Sequence, residues 1–130
     1  ACFALGEEPL RYHHLYSDER GESRWREVEV ELEEHVFAPP AHNIHISGAI
    51  PAKAMLFLRL HAGWNEPAHQ TPVRQTLVCL SGKVVVTASD GDEREIGPGD
   101  VWRMEDLSGK GRHTRVVGDT DFDAVIVQEG

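Results

Sequence analysis

Two cysteines are too few for a disulfide framework, and Cys2 and Cys79 do not have the spacing of a metal knuckle. Cys79 falls in an apolar stretch, where a buried, inert thiol is expected. No apolar run reaches the length of about 18 residues that a membrane-spanning helix needs, so no membrane partner is expected. The opening stretch ACFALGEEPLRYHH has no basic flank leading into an apolar segment, so a secretory signal is not expected, and the expectation is a cytoplasmic location or a targeting peptide removed ahead of this numbering. Basic residues are scarce as well. Thirteen Lys and Arg stand against 22 Asp and Glu, a net charge of −9 that would repel a phosphate backbone, so nucleic acid is not an expected partner. Finally, no segment of convincing length repeats its apolar residues at the helical period.

The period that is present is two. In WREVEVELEEHV, Val28, Val30 and Leu32 alternate with four glutamates, which predicts a half-buried strand whose apolar face carries those three residues. HNIHIS and KAMLFLRLHAG read as further strands, with Pro39, Pro40 and Pro51 at the connections because proline cannot donate to a ladder. TLVCLSGKVVVTASDGDEREIG reads as strands joined at Ser81-Gly82 and by a hairpin turn at Asp90-Gly91. VWRM, HTRVVGD and FDAVIVQ complete the set. Short strands separated by glycine turns predict an all-β antiparallel sandwich or barrel. At 130 residues and with no internal repeat, the chain reads as a single domain.

Within GWNEPAHQTPVRQTLVCLSG, residues 63–82, five residues separate Gly63 from His69, Thr71 stands two further on, Gln75 four beyond that, and six residues lead to Gly82. Later come Gly99-Asp100, the short strand VWRM, the loop EDLSGKGR and His113. These segments resemble the first and second motifs of the cupin superfamily. Thr71 and Gln75 replace a histidine and a glutamate, the proline of the second motif is absent, and its loop is about three residues longer than the family pattern. The resemblance implies an antiparallel jelly-roll barrel over 54–128, preceded by an N-terminal strand extension over 1–53, and by analogy a homodimer.

It also implies a site. In the family, two histidines and a glutamate of the first motif join a histidine of the second around a divalent metal, which carries over to His69, Gln75 and His113, with Thr71 and His61 as further candidates. Two imidazoles and an amide leave a metal its full double charge, which favours Lewis-acid chemistry over a tightly held redox iron. Zinc, nickel, manganese and iron remain open as the cofactor, as does none. Imidazole side chains can serve as general acid and base, and His69 and His113 are the candidate catalytic pair. Alternation along strands puts Gln75, Leu77 and Cys79 on one face and His113, Arg115 and Val117 on another. Trp64 and Trp102 are candidates for an aromatic wall; Arg59, Arg103 and Arg115 are candidates to anchor an anion, and Cys79 joins the lining. The expectation is a metal-dependent enzyme of isomerase, cyclase, lyase or hydrolase type acting on a small molecule. The alternative is a non-catalytic cupin that binds a metabolite or sugar.

Overall fold

The computed structural model describes residues 9–36 and 38–130, so Cys2 lies outside the described residues. Among them there are twelve strands and no helix long and apolar enough to cross a membrane. In chain order the strands are β1 (Arg11–Ser17), β2 (Ser23–Glu29), β3 (Glu33–His35), β4 (Ile44–Ile46), β5 (Ala54–Leu60) and β6 (Asn65–His69). They continue with β7 (Gln75–Ser81), β8 (Val84–Ala88), β9 (Glu93–Ile96), β10 (Val101–Glu105), β11 (Arg112–Val116) and β12 (Phe122–Gln128). A six-stranded sheet in the order β2-β1-β10-β7-β12-β5 faces a four-stranded sheet in the order β6-β11-β8-β9, and β3 and β4 form a separate ribbon. Every neighbouring pair is antiparallel except β1 and β10. The fold is an all-β jelly roll of two facing sheets.

Period-two patterning is why these segments pair as they do. β7 turns Gln75, Leu77 and Cys79 inward, and β8 turns Val84, Val86 and Ala88 inward, so each strand presents an apolar row to the other sheet. Leu15, Trp25, Trp102, Met104, Phe122 and Ile126 fill the gap from the larger sheet, and Ile96 and Val116 from the smaller. The stretch WREVEVELEEHV departs from the expected single strand. It is split into β2 and β3; β2 buries Ser23 and Trp25, while Val28 and Val30 are half-buried and Leu32 is exposed. Tryptophan burial outweighed the valine alternation, because the inward face of β2 carries the largest apolar side chain of the segment.

β1 was not evident from patterning, since RYHHLYS has a single aliphatic residue, Leu15. Its side chains explain its place. Leu15 enters the core, while His14 on the opposite face reaches Glu105 of β10, Nε2 to Oε1 at 2.7 Å. Arg26 Nε donates to His14 Nδ1 at 2.8 Å, so Nδ1 is the acceptor and the proton of the neutral ring sits on Nε2, facing Glu105. Arg74 and Arg103 also donate to Glu105. Burial pushes the His14 pKa below its ordinary value despite the pull of Glu105, with Arg26 and Arg103 adding to the lowering. Burial also acts to raise the Glu105 pKa, but the hydrogen bonds from Arg103, His14 and Arg74 hold it lower.

A histidine whose folded pKa is depressed binds its proton more readily when unfolded. Its contribution is therefore fully present above the unfolded value of about 6.5 and is lost as pH falls below it. Glu105, depressed in turn, loses its contribution only further down, below its ordinary carboxylate range. The unfolding midpoint is expected to drop between about pH 7.5 and 5.5, and His14→Gln, which can accept from Arg26 and donate to Glu105 without titrating, is expected to flatten that drop. Denaturant melts across this range check it; an identical slope in both proteins would contradict the assignment.

Candidate functional site

Between the two sheets lies a cavity of about 220 Å³. Its walls are mainly apolar: Leu58 and Leu60 of β5, Leu77 of β7, and Phe122 and Ile126 of β12. Trp64 and His69 stand on the β6 side, and Gln75, Trp102, Arg112 and Thr114 supply the polar atoms. A larger groove, about 380 Å³, runs over the outer face past Tyr12, Val28, Val30, Ile50 and Val101. The arginine bordering that groove, Arg103, is already paired to Glu105 and Glu129. The interior cavity is the one whose polar groups are incompletely matched.

Strand parity decides which residues of the second motif face it. On β11, Arg112, Thr114 and Val116 stand opposite Ala88, Val86 and Val84, all inward, whereas His113 and Arg115 stand opposite Thr87 and Val85 on the outer face. His113 Nε2 is 2.6 Å from Asn65 Oδ1 at the surface. The expected meeting of His69 and His113 inside the barrel is therefore replaced by a pairing of His69 with Arg112, which are direct cross-strand partners on β6 and β11. A register shift follows at once between Arg112 and Thr114. β6 has an extra residue there, a bulge of the kind that re-aims side chains beside binding sites.

Arg112 is the centre of the site. It is only 6% exposed, and its Nη1 donates to Thr71 Oγ1 at 2.8 Å. Nη1 also lies 3.4 Å from the carbonyl of His69 and 3.4 Å from Asp106 Oδ2. The Thr71 hydroxyl in turn donates a hydrogen bond to Asp106 Oδ1 at 2.7 Å, so cation, hydroxyl and carboxylate form a buried relay. Nη2 meets only the thioether of Met104, at 3.8 Å, and the guanidinium lies 5.4 Å above the Trp102 ring. Burial lowers the Arg112 pKa against the pull of Asp106, yet a guanidinium remains cationic in a protein. Burial raises the Asp106 carboxyl, opposed by Arg112 and by the Thr71 hydrogen bond.

The remaining candidates separate into those at the cavity and those away from it. Trp64, Trp102, His69 and Gln75 border it. His69 is at the exposed rim, its Nδ1 3.1 Å from the Pro67 carbonyl, and the Gln75 amide donates to Met104 sulfur and accepts from Gln128. His61 is away from it, with 82% of its side chain exposed and Asp121 beside it. Arg59 is held on the outer face by Asp123, at 2.7 and 2.9 Å. Arg115 shares the outer parity of His113. Cys79 is a buried free thiol directed at the carbonyls of Ser81 and Gly82, and its burial raises the thiol pKa, as suits an unreactive core cysteine.

These placements do not fit the family's metal. Thr71 is committed to Asp106 and Arg112, Gln75 to Met104 and Gln128, and His113 faces away, so His69 alone is left of the expected ligands. No three His, Cys, Asp or Glu side chains converge as a ligand set among the described residues. A fixed organic cation, Arg112, stands instead beside the first-motif residues, donating to Thr71 and lying 3.4 Å from the His69 carbonyl.

Several solved structures are similar in fold. The Cnp3 cupin domain of Schizosaccharomyces pombe aligns with 96% of this chain and 86% of its own, at 13% identity and TM-score 0.49. A Cupin 2 conserved barrel domain protein from Salinispora arenicola aligns over 78% of this chain and 76% of its own, at 17% identity and TM-score 0.45. A sugar phosphate isomerase of the cupin superfamily from Silicibacter pomeroyi aligns over 58% of this chain at 20% identity and TM-score 0.46; the chain covers 49%, about half, of that protein's length. No family model and no curated protein matches the sequence.

Proposed function

We propose that this chain is a cupin-fold binding protein that takes a small organic molecule into the interior cavity, with Arg112 and not a divalent metal as the charged group of the site. The observation that carries this reading is a set of buried polar atoms without partners on residues that line the cavity. Among the described residues, Arg112 Nε, Trp102 Nε1 and Thr114 Oγ1 have no hydrogen-bond partner, on side chains that are 6%, 2% and 4% exposed. A buried polar atom left unmatched costs about 1–3 kcal/mol, so three on residues that line one cavity are a cost that a bound molecule reaching them would offset.

The volume bounds the size of that molecule. About 220 Å³ is below the roughly 300–1,000 Å³ of pockets for drug-sized ligands and is equivalent to roughly seven waters by their share of liquid volume, so a short-chain metabolite suits it. Trp64 and Trp102 at the lining provide an internal signal. Titrating short-chain carboxylates, amides and alcohols is expected to quench tryptophan fluorescence saturably for at least one class and to raise the unfolding free energy by about 2.7 kcal/mol at a hundredfold excess over Kd. Leu60→Trp, which fills the cavity from a half-buried position on β5, is expected to abolish both effects. Saturable quenching that persists in Leu60→Trp, or none with any class, would overturn the reading.

A further inference from the structure

Resting on that binding reading, the ligand's chemical class can be taken from the geometry of the unpartnered atoms. A guanidinium has two edges able to hold two acceptors at once. On Arg112 the edge ending in Nη1 is spent on Thr71 and the His69 carbonyl. The other edge, Nε–H with Nη2–H, has no oxygen partner: Nε is unmatched and Nη2 faces only Met104 sulfur. Two parallel N–H groups on one rigid fork match the two oxygens of a carboxylate, the arrangement for which arginine is chosen over lysine.

We propose that the cavity binds a monocarboxylate, its two oxygens on Nε and Nη2 of Arg112, its chain against Leu58, Leu60, Phe122 and Ile126. Asp106 engages the guanidinium from the Nη1 end, at 3.4 Å with Thr71 interposed, so an anion on the Nε–Nη2 edge would not have to displace it. A phosphate monoester, larger and doubly charged, suits the site less, because one arginine edge and a cavity of about 220 Å³ walled mainly by aliphatic and aromatic side chains leave its third oxygen and second charge unmatched. Trp102 Nε1–H and Thr114 Oγ1 remain to contact a hydroxyl or keto oxygen close to the carboxylate.

The test compares butanoate, 2-hydroxybutanoate, butanamide and butyl phosphate by calorimetry on the intact chain. Butanoate is expected to bind at least about tenfold more tightly than butanamide, as the loss of a charge-assisted pair implies, and 2-hydroxybutanoate more tightly still. Arg112→Lys, which keeps the charge but not the fork, is expected to weaken butanoate at least about tenfold and butanamide, with one acceptor oxygen, by less. Since a change at Arg112 can disturb folding, Thr114→Val is the second variant, and it is expected to remove the advantage of the 2-hydroxy compound with butanoate unaffected. Equal affinities for butanoate and butanamide, both lost in Leu60→Trp, would overturn the carboxylate and leave cavity binding standing. Tightest binding by butyl phosphate would also overturn it, and no binding of any probe would overturn both.

Discussion

Arg112→Ala is expected to destabilise the protein by about 3–5 kcal/mol, because it strips a buried carboxylate of its cation. Asp106 is fully buried, and its other side-chain partner is the hydroxyl of Thr71, which itself accepts from Arg112. Against a total stability of about 5–15 kcal/mol for a domain, such a loss can leave a large fraction unfolded near 37 °C. The double variant Arg112→Met with Asp106→Leu separates two explanations. If the cost arises from an uncompensated buried charge, removing both partners recovers most of it; if it arises from lost volume and contacts, the double variant is at least as unstable as the single. Chemical denaturation of the three proteins decides between these, and a loss under about 1 kcal/mol in Arg112→Ala would show that the relay is not a buried ion pair.

The second large effect is expected at Gly111, next to Arg112. Its φ is +71°, and a Cβ built there overlaps the carbonyl of His69, with Gln70 N at 2.8 Å. Backbone atoms, not a flexible side chain, are in the way, so Gly111→Ala must push β6 from β11 at the point where His69 and Arg112 pair. Gly118 is the control: its φ is +82° but nothing lies within 4 Å of an added Cβ, so Gly118→Ala should cost only the left-handed backbone term of about 1–2 kcal/mol. Gly111→Ala is expected to lose clearly more than that, and to shift the tryptophan fluorescence through Trp64 and Trp102. Equal losses at the two glycines would mean that β6 can yield without strain.

The barrel strands were legible because their apolar rows alternate without interruption. β7, β8 and β12 each turn inward the residues that spacing assigns, including Gln75, Leu77 and Cys79. Trp64, His69 and Gln75, three of the candidates named from the sequence, border one cavity in the structure. The second motif misled for a definable reason. In RHTRVV both Val116 and Val117 are apolar, so alternation is satisfied equally well with Arg112 and Thr114 inward or with His113 and Arg115 inward, and the likeness to the family selected the latter. The longer loop before β11 let the chain enter that strand on the other parity, so His113 meets Asn65 at the surface. Arg112 and Asp106 had no such signal, since a polar residue at a loop end reads as solvated until its burial is known. β1 escaped notice because its hold on the sheet comes from one leucine and a polar network around His14 and Glu105, which no hydrophobic period reveals.

The most direct measurement is hydrogen exchange at the arginine Nε positions of the ¹⁵N-labelled protein, with the Arg112 signal assigned by its disappearance in Arg112→Lys. The expected result is an Arg112 Nε–H strongly protected compared with that of Arg20, and one that moves when butanoate saturates the cavity. Exchange at Arg112 as fast as at Arg20, with His69 and His113 instead shifting together on ligand addition, would contradict the burial of this cation and with it the site built around it.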